Sequence, residues 1–201
     1  MNDEVPLDLR SRRRLDTRQE IHRAALELFE AQGVRETTVQ QIAERSGVSS
    51  RTFFRHFTTK EQAGLPGQAR LLRAIETLEV TGTDPDAVLR DVEAALEGVM
   101  GLEHDPEREE HRRVARLLAG DSELRALAAA QERELATRLR ERLSERLEGP
   151  DPTTVLLVVE VAVAVWSACW ERWGELAAQG REEDPVELYR RCRSELRRIV
   201  G

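Results

Sequence analysis

Apolar residues in this chain recur at intervals of three and four and nowhere at intervals of two. Ile21, Ala24, Ala25, Leu28 and Phe29 stand at i, i+3, i+4, i+7 and i+8, which is one stripe along a helix. No run alternates apolar and polar residues as a half-buried strand requires. The same spacing, interrupted by Gly, Pro and Asp, predicts helices over 16–32, from Thr37 or Thr38 to about Ser46, and from a Ser49 cap to Phe57. A short segment follows at Thr58, Thr59 and Lys60, and longer helices are expected over 68–79, 85–100, 107–118, 122–147, 153–179 and 185–199. The breaks are short, as between packed antiparallel helices. The fold class expected is all-α: an N-terminal three-helix head containing a helix-turn-helix, and a C-terminal antiparallel bundle. Gly64, Pro66 and Gly67 punctuate the chain between them. The expected division is a flexible basic arm at 1–15, the helix-turn-helix domain at 16–63 and the helical body at 64–201.

Hydrophobic residues make up 40% of the chain, enough for a sizeable core. The formal charge of −7 is unevenly spread: residues 1–62 sum to +1 and residues 63–201 to −8. A mildly basic head on an acidic body suits a chain that meets phosphate at one end. Cys169 and Cys192 are isolated and read as core fillers in a reducing compartment, with no metal knuckle. The first fifteen residues have no apolar stretch behind their arginines, so no signal peptide is expected. The apolar run Val155 to Trp170 contains Glu160 and is shorter than a bilayer span, which reads as a buried helix rather than a membrane segment. A cytoplasmic protein is expected.

Enzyme chemistry finds little support. There is no His-Glu-x-x-His, and none of His22, His56, His104 or His111 has a Glu three positions before it. Neither a phosphate loop nor a Gly-x-Ser-x-Gly elbow is present. No cofactor, metal or catalytic residue is expected.

Residues 39–57, VQQIAERSGVSSRTFFRHF, carry the strongest functional pattern. Val39, Ile42 and Ala43 supply the buried side of the helix before the turn, and Gly47 can take the positive φ of a tight turn. Val48 plugs the turn, while Phe53 and Phe57 anchor the second helix. Between the anchors stand Ser50, Arg51, Thr52, Arg55 and His56, short polar or cationic groups suited to base edges in a major groove.

The stretch from residue 17 to 63, with its AALELF helix, TT cap, IAERSGVS turn and RHF ending before Lys60, resembles the head of TetR family regulators. The resemblance implies a dimeric regulator of double-stranded operator DNA with a small-molecule effector. It implies that Thr38 and Gln40 touch phosphate or a base edge, and that Ser50, Arg51 and Thr52 lead the recognition helix into the groove. Arg51 would bind a guanine with both donors, and His56 and Lys60 would hold the backbone. Position 54 is Phe where the family usually has Tyr, so a hydroxyl contact is lost and Arg55 or the arginines at 10–14 take its place. Those arginines equally read as a solvated tail. Repression of a pseudo-palindromic operator, relieved by a largely apolar effector, is the function the resemblance implies. The alternatives are a helical dimerisation adaptor that reads no DNA, and a ligand-independent or activating regulator.

In such regulators the last two helices pair and the remaining bundle holds the ligand. The final helix offers a seam of Tyr189, Cys192, Leu196 and Ile199. Trp166, Trp170 and Trp173 share about 60° of the preceding helix, and Glu160 projects over about 100° away from the middle of that face. Either the tryptophans face a partner and Glu160 the interior, or the reverse. Glu160 would pair with an arginine or recognise a ligand. Met100, Glu160, Trp166 and Trp170 are the expected ligand-binding residues.

Overall fold

A computed structural model describes residues 9–65, 68–82, 84–101, 108–147, 149 and 151–200. Ten helices and no strand occur among the described residues, and the chain divides into two compact units, Met1–Pro66 and Gly67–Gly201.

The first unit contains α1 (Leu9–Gln32), α2 (Val39–Arg45), α3 (Ser50–His56) and α4 (Lys60–Ala63). α1 begins earlier than the expected Asp16, because Leu9 to Leu15 contains good helix formers and neither Gly nor Pro. Arg13 and Arg14, expected on a flexible arm, are therefore exposed on its early turns. The rest of that arm, residues 1–8 and the side chains of 9–12, lies outside the described residues. Ile21, Ala24, Ala25, Leu26 and Phe29 are buried, whereas Leu28 is only half-buried. His22 is also buried, with Nδ1 2.7 Å from the Ala63 carbonyl oxygen.

Of the two threonines that could cap α2, Thr38 does so. Its hydroxyl accepts from the Gln41 amide at 3.2 Å, and the Gln41 side chain accepts from the Thr38 amide at 2.8 Å. Thr37 is buried and donates its hydroxyl to the Gly33 carbonyl at 2.8 Å. Gly47 turns the chain into α3 at φ +69°, a conformation that costs an L side chain about 1–2 kcal/mol.

The second unit contains α5 (Ala69–Glu76), α6 (Pro85–Met100), α7 (Arg108–Gly120), α8 (Ser122–Arg146), α9 (Pro152–Ala178) and α10 (Pro185–Val200). Asp84, Asp121 and Asp151 each cap a following helix through a side-chain oxygen. α9 is the central helix and packs against α6, α7, α8 and α10. At 27 residues it exceeds the apolar run read from the sequence and is long and apolar enough by composition to cross a bilayer. Here one face is buried in the bundle, while Glu160, Glu171, Arg172 and Glu175 stand on the exposed one. A Cβ on Gly174 would lie 2.5 Å from the Ala115 carbonyl oxygen, so glycine permits the close approach of α7 and α9.

One end of the core is aliphatic, built around Val92, Leu139, Leu143 and Val159. The other is aromatic, with Trp166, Trp173 and Tyr189 buried around Cys169. Burial pushes the Cys169 thiol up to about 12, which leaves it an inert thiol. Glu93 is 1% exposed and accepts from Arg193 Nε at 2.9 Å and Arg197 Nη2 at 2.7 Å, tying α6 to α10.

Candidate nucleic-acid interface and bundle cavity

α3 is set by a cap at one end and an aromatic anchor at the other. Ser49 Oγ accepts from the Thr52 amide at 3.1 Å, and Phe53 is fully buried. Phe57 is buried beneath the Arg18 guanidinium, 4.0 Å from the ring centre, and Arg18 Nη1 donates to the His56 carbonyl at 2.7 Å. At 100° per residue, this anchoring leaves Ser50, Phe54, Arg51 and Arg55 within about 140° on the opposite side. All four are exposed. Arg51 and Arg55 have no ion-pair partner among the described residues, so their donors are available to an anion.

Other expected residues stand differently. Thr52 is half-buried and its hydroxyl lies 3.1 Å from Ser49 Oγ, so it supports the cap. His56 is half-buried, on the Phe53 side of the helix. Its Nε2 is buried without a partner, and burial with Arg55, Arg14 and Arg18 nearby lowers its pKa. A neutral, inward-leaning imidazole is a poor holder of phosphate. Lys60 Nζ donates to the carbonyls of Val34 at 2.7 Å, Arg35 at 3.1 Å and Thr37 at 2.7 Å. Those three bonds use every donor an ammonium has, so Lys60 ties the α1–α2 loop here. Thr38 and Gln40 are exposed, Gln40 donating to Glu44 at 2.9 Å. Phe54, set aside in sequence because it lacks a hydroxyl, is 56% exposed in the middle of the free face.

In the bundle, the tryptophans face inward and Glu160 outward. Trp166 and Trp173 are buried and Trp170 is half-buried, stacked edge-on between them at 5.6 and 5.1 Å. Glu160 is exposed and has no ion pair among the described residues, so the arginine partner expected for it is not found there. The α10 seam is also used internally: Tyr189 is buried, Cys192 and Leu196 pack against the aromatic cluster, and Ile199 is 77% exposed.

α5, α6, α8 and α9 line a partly open cavity of about 40 Å³. Its walls include Leu71 and Ile75, Val92 and Leu96, Leu135, and Trp166. Met100 packs on the aromatic cluster; it, Trp170 and Glu160 are not in the cavity wall, so of the expected set Trp166 alone lines it. The one acidic wall residue, Glu132, accepts from Ser167 Oγ at 2.7 Å, and burial raises its carboxyl above the ordinary glutamate value. Glu132 precedes Leu135 by three residues and Ala136 by four, so its place on the apolar stripe of α8 is visible in the periodicity.

Residues 21–62 match the family described as bacterial regulatory proteins, tetR family. The chain is 43% identical over 104 residues to the HTH-type transcriptional regulator TcmR of Streptomyces glaucescens, covering 50% of this chain and 45% of that one. It is 36% identical over 92 residues to the HTH-type transcriptional regulator SrpR of Pseudomonas putida, covering 46% and 42% respectively. The matches thus span about half the length of these curated relatives. Among solved structures, NalD of Pseudomonas aeruginosa, the secondary repressor of the MexAB-OprM multidrug efflux pump, superposes with a TM-score of 0.51. At 21% identity over 92% of this chain and 96% of that one, the likeness is one of fold.

Proposed function

We propose, from the match of its head to the tetR family, that the chain is a cytoplasmic transcriptional regulator of that family, a dimeric repressor released by a small, largely apolar effector. The free face of α3 carries this reading. Ser50, Arg51, Phe54 and Arg55 project from a helix whose other side is anchored by Phe53 and Phe57. Arg51 near the N-terminal end of α3 is the candidate for a guanine edge, Arg55 one turn on for phosphate, and Phe54 between them for a thymine methyl group. Thr38 and Gln40, at the start of α2, are placed for backbone contact.

The dimer is proposed on the outward face of α9, where Leu157, Glu160, Ala164, Ala168 and Glu171 follow at three- and four-residue steps. Leu157 is 58% exposed, and the two alanines allow a second α9 to approach closely. A two-fold pair would present two recognition helices to a pseudo-palindromic operator.

The cavity is roughly three times what one water needs, at about 10–15 Å³, and far below an ordinary ligand site. An effector must therefore push its walls apart. α5 supplies Leu71, Ala74 and Ile75 to that wall and directly follows the head in the chain. Displacing it in both protomers changes the separation of the two recognition helices. An effector that favours the displaced state by about 5.5 kcal/mol takes operator occupancy from nearly full to nearly empty.

The test is fluorescence anisotropy on DNA upstream of the protein's own gene, at two salt concentrations and against scrambled competitor. Tight, competitor-resistant, salt-sensitive binding that Arg51→Ala weakens is the expected result. A head that shows no preference across a genome-wide selection of fragments would refute the reading.

A further inference from the structure

Two acids of the bundle, buried Glu93 and half-buried Glu132, stand in contrasting surroundings. Glu93 is neutralised by Arg193 and Arg197. Glu132 has only the Ser167 hydroxyl, on Oε2, and no ion pair among the described residues. It faces a cavity whose other wall residues are apolar, including the Trp166 indole. A carboxylate so placed is costly to keep charged, and a serine hydroxyl offsets only part of that cost. What the wall lacks is a cation, and the wall also carries an aromatic ring that attracts one.

We propose that the cavity selects an apolar molecule bearing a single protonated amine, its N–H groups meeting Glu132 and its apolar body spreading against the aliphatic wall. The inference rests on the body being an effector-binding unit and specifies the class of effector. The requirement is for one positive charge: two would leave the second unpaired among aliphatic side chains, and a carboxylate would face Glu132 directly.

The experiment compares decylamine, decanol and decanoate, which share one apolar chain and differ in the head group. Binding to the full-length protein is measured by titration calorimetry and by quenching of the tryptophans, all three of which lie on α9. The expected order is decylamine tightest, by at least about tenfold over decanol, and decanoate weakest. Glu132→Gln is expected to abolish the amine preference while decanol binds as before. Glu132→Leu, which removes a buried polar group, serves as a second variant with the same expected loss. Equal affinities for amine and alcohol in the wild type, or an amine preference that survives both variants, would overturn the proposal. Failure of the underlying regulator reading registers separately, as an operator complex whose anisotropy no cavity ligand alters.

Discussion

The head and the body use the same helical periodicity for opposite ends. In the head, α3 buries its aromatic side and turns cations and one phenyl ring outward. In the body, α8 and α9 bury their apolar side around a small void and turn one acid inward. Charge that is free on α3, at Arg51 and Arg55, is held in place on α10, where Arg190, Arg193 and Arg197 are engaged by Glu93, Glu97 and Glu187. Recognition outside needs exposed donors with no internal partner, whereas recognition inside needs an unmatched group that water cannot easily reach. An arginine count does not distinguish these uses; partners do.

The sharpest way to break the comparison is to unfold one region while the other persists. Phe53→Ala removes a fully buried ring from the head and is expected to cost about 4 kcal/mol there. Because every tryptophan is in the body, DNA binding should be lost while tryptophan emission keeps its native wavelength; a simultaneous loss of both would mean the units fold as one. In the body, Arg193→Ala combined with Arg197→Ala strands the Glu93 carboxylate and is expected to cost about 3 kcal/mol, read by urea titration. Arg197→Ala alone should change stability by under about 1 kcal/mol, since Arg193 stays and Arg197 is half-exposed.

Within the head, Arg51→Ala should weaken operator binding by about 2 kcal/mol and relax preference at one base pair. His56→Ala should leave the salt dependence of binding unchanged, because a neutral imidazole displaces no counterion. A shallower salt slope in His56→Ala would return the histidine to the phosphate contacts. The smallest effect expected is on pH. Burial raises the Glu132 carboxyl above its ordinary value of 4.5, so its charged form is disfavoured in the folded state. Its contribution to stability is therefore best below that value and falls as pH rises through the folded-state value. The Tm advantage of Glu132→Gln over wild type should accordingly widen from acid to neutral pH; a constant difference would mean that Glu132 is well solvated.

Much of this was legible in sequence where the cause is local. Caps, glycine turns and three- to four-residue spacing act within a few residues, so the helix from 85 to 100 is found where expected and the others shift mainly at their ends. The early start of α1 was missed because an arginine cluster reads as a tail, although those residues also favour helix. The internal engagement of Lys60 and His56 was hidden for a different reason. Their types suit phosphate, but the carbonyls of Val34, Arg35 and Thr37 converge on Lys60 only after the α1–α2 loop folds. The tryptophan spacing showed that Glu160 and the indoles oppose each other, yet angular arithmetic on one helix has no inside or outside.

The sequence by itself determined the helices, the turn between α2 and α3, and the likeness of the head to the tetR family, since each depends on residues within a few positions of one another. Tertiary structure decided which face of α9 is buried, that the α10 seam packs on its own protomer, and that Glu132 rather than Glu160 meets the cavity. Those outcomes depend on which surfaces neighbouring helices cover. That is settled by how all six body helices bury apolar area together, which no single helix encodes.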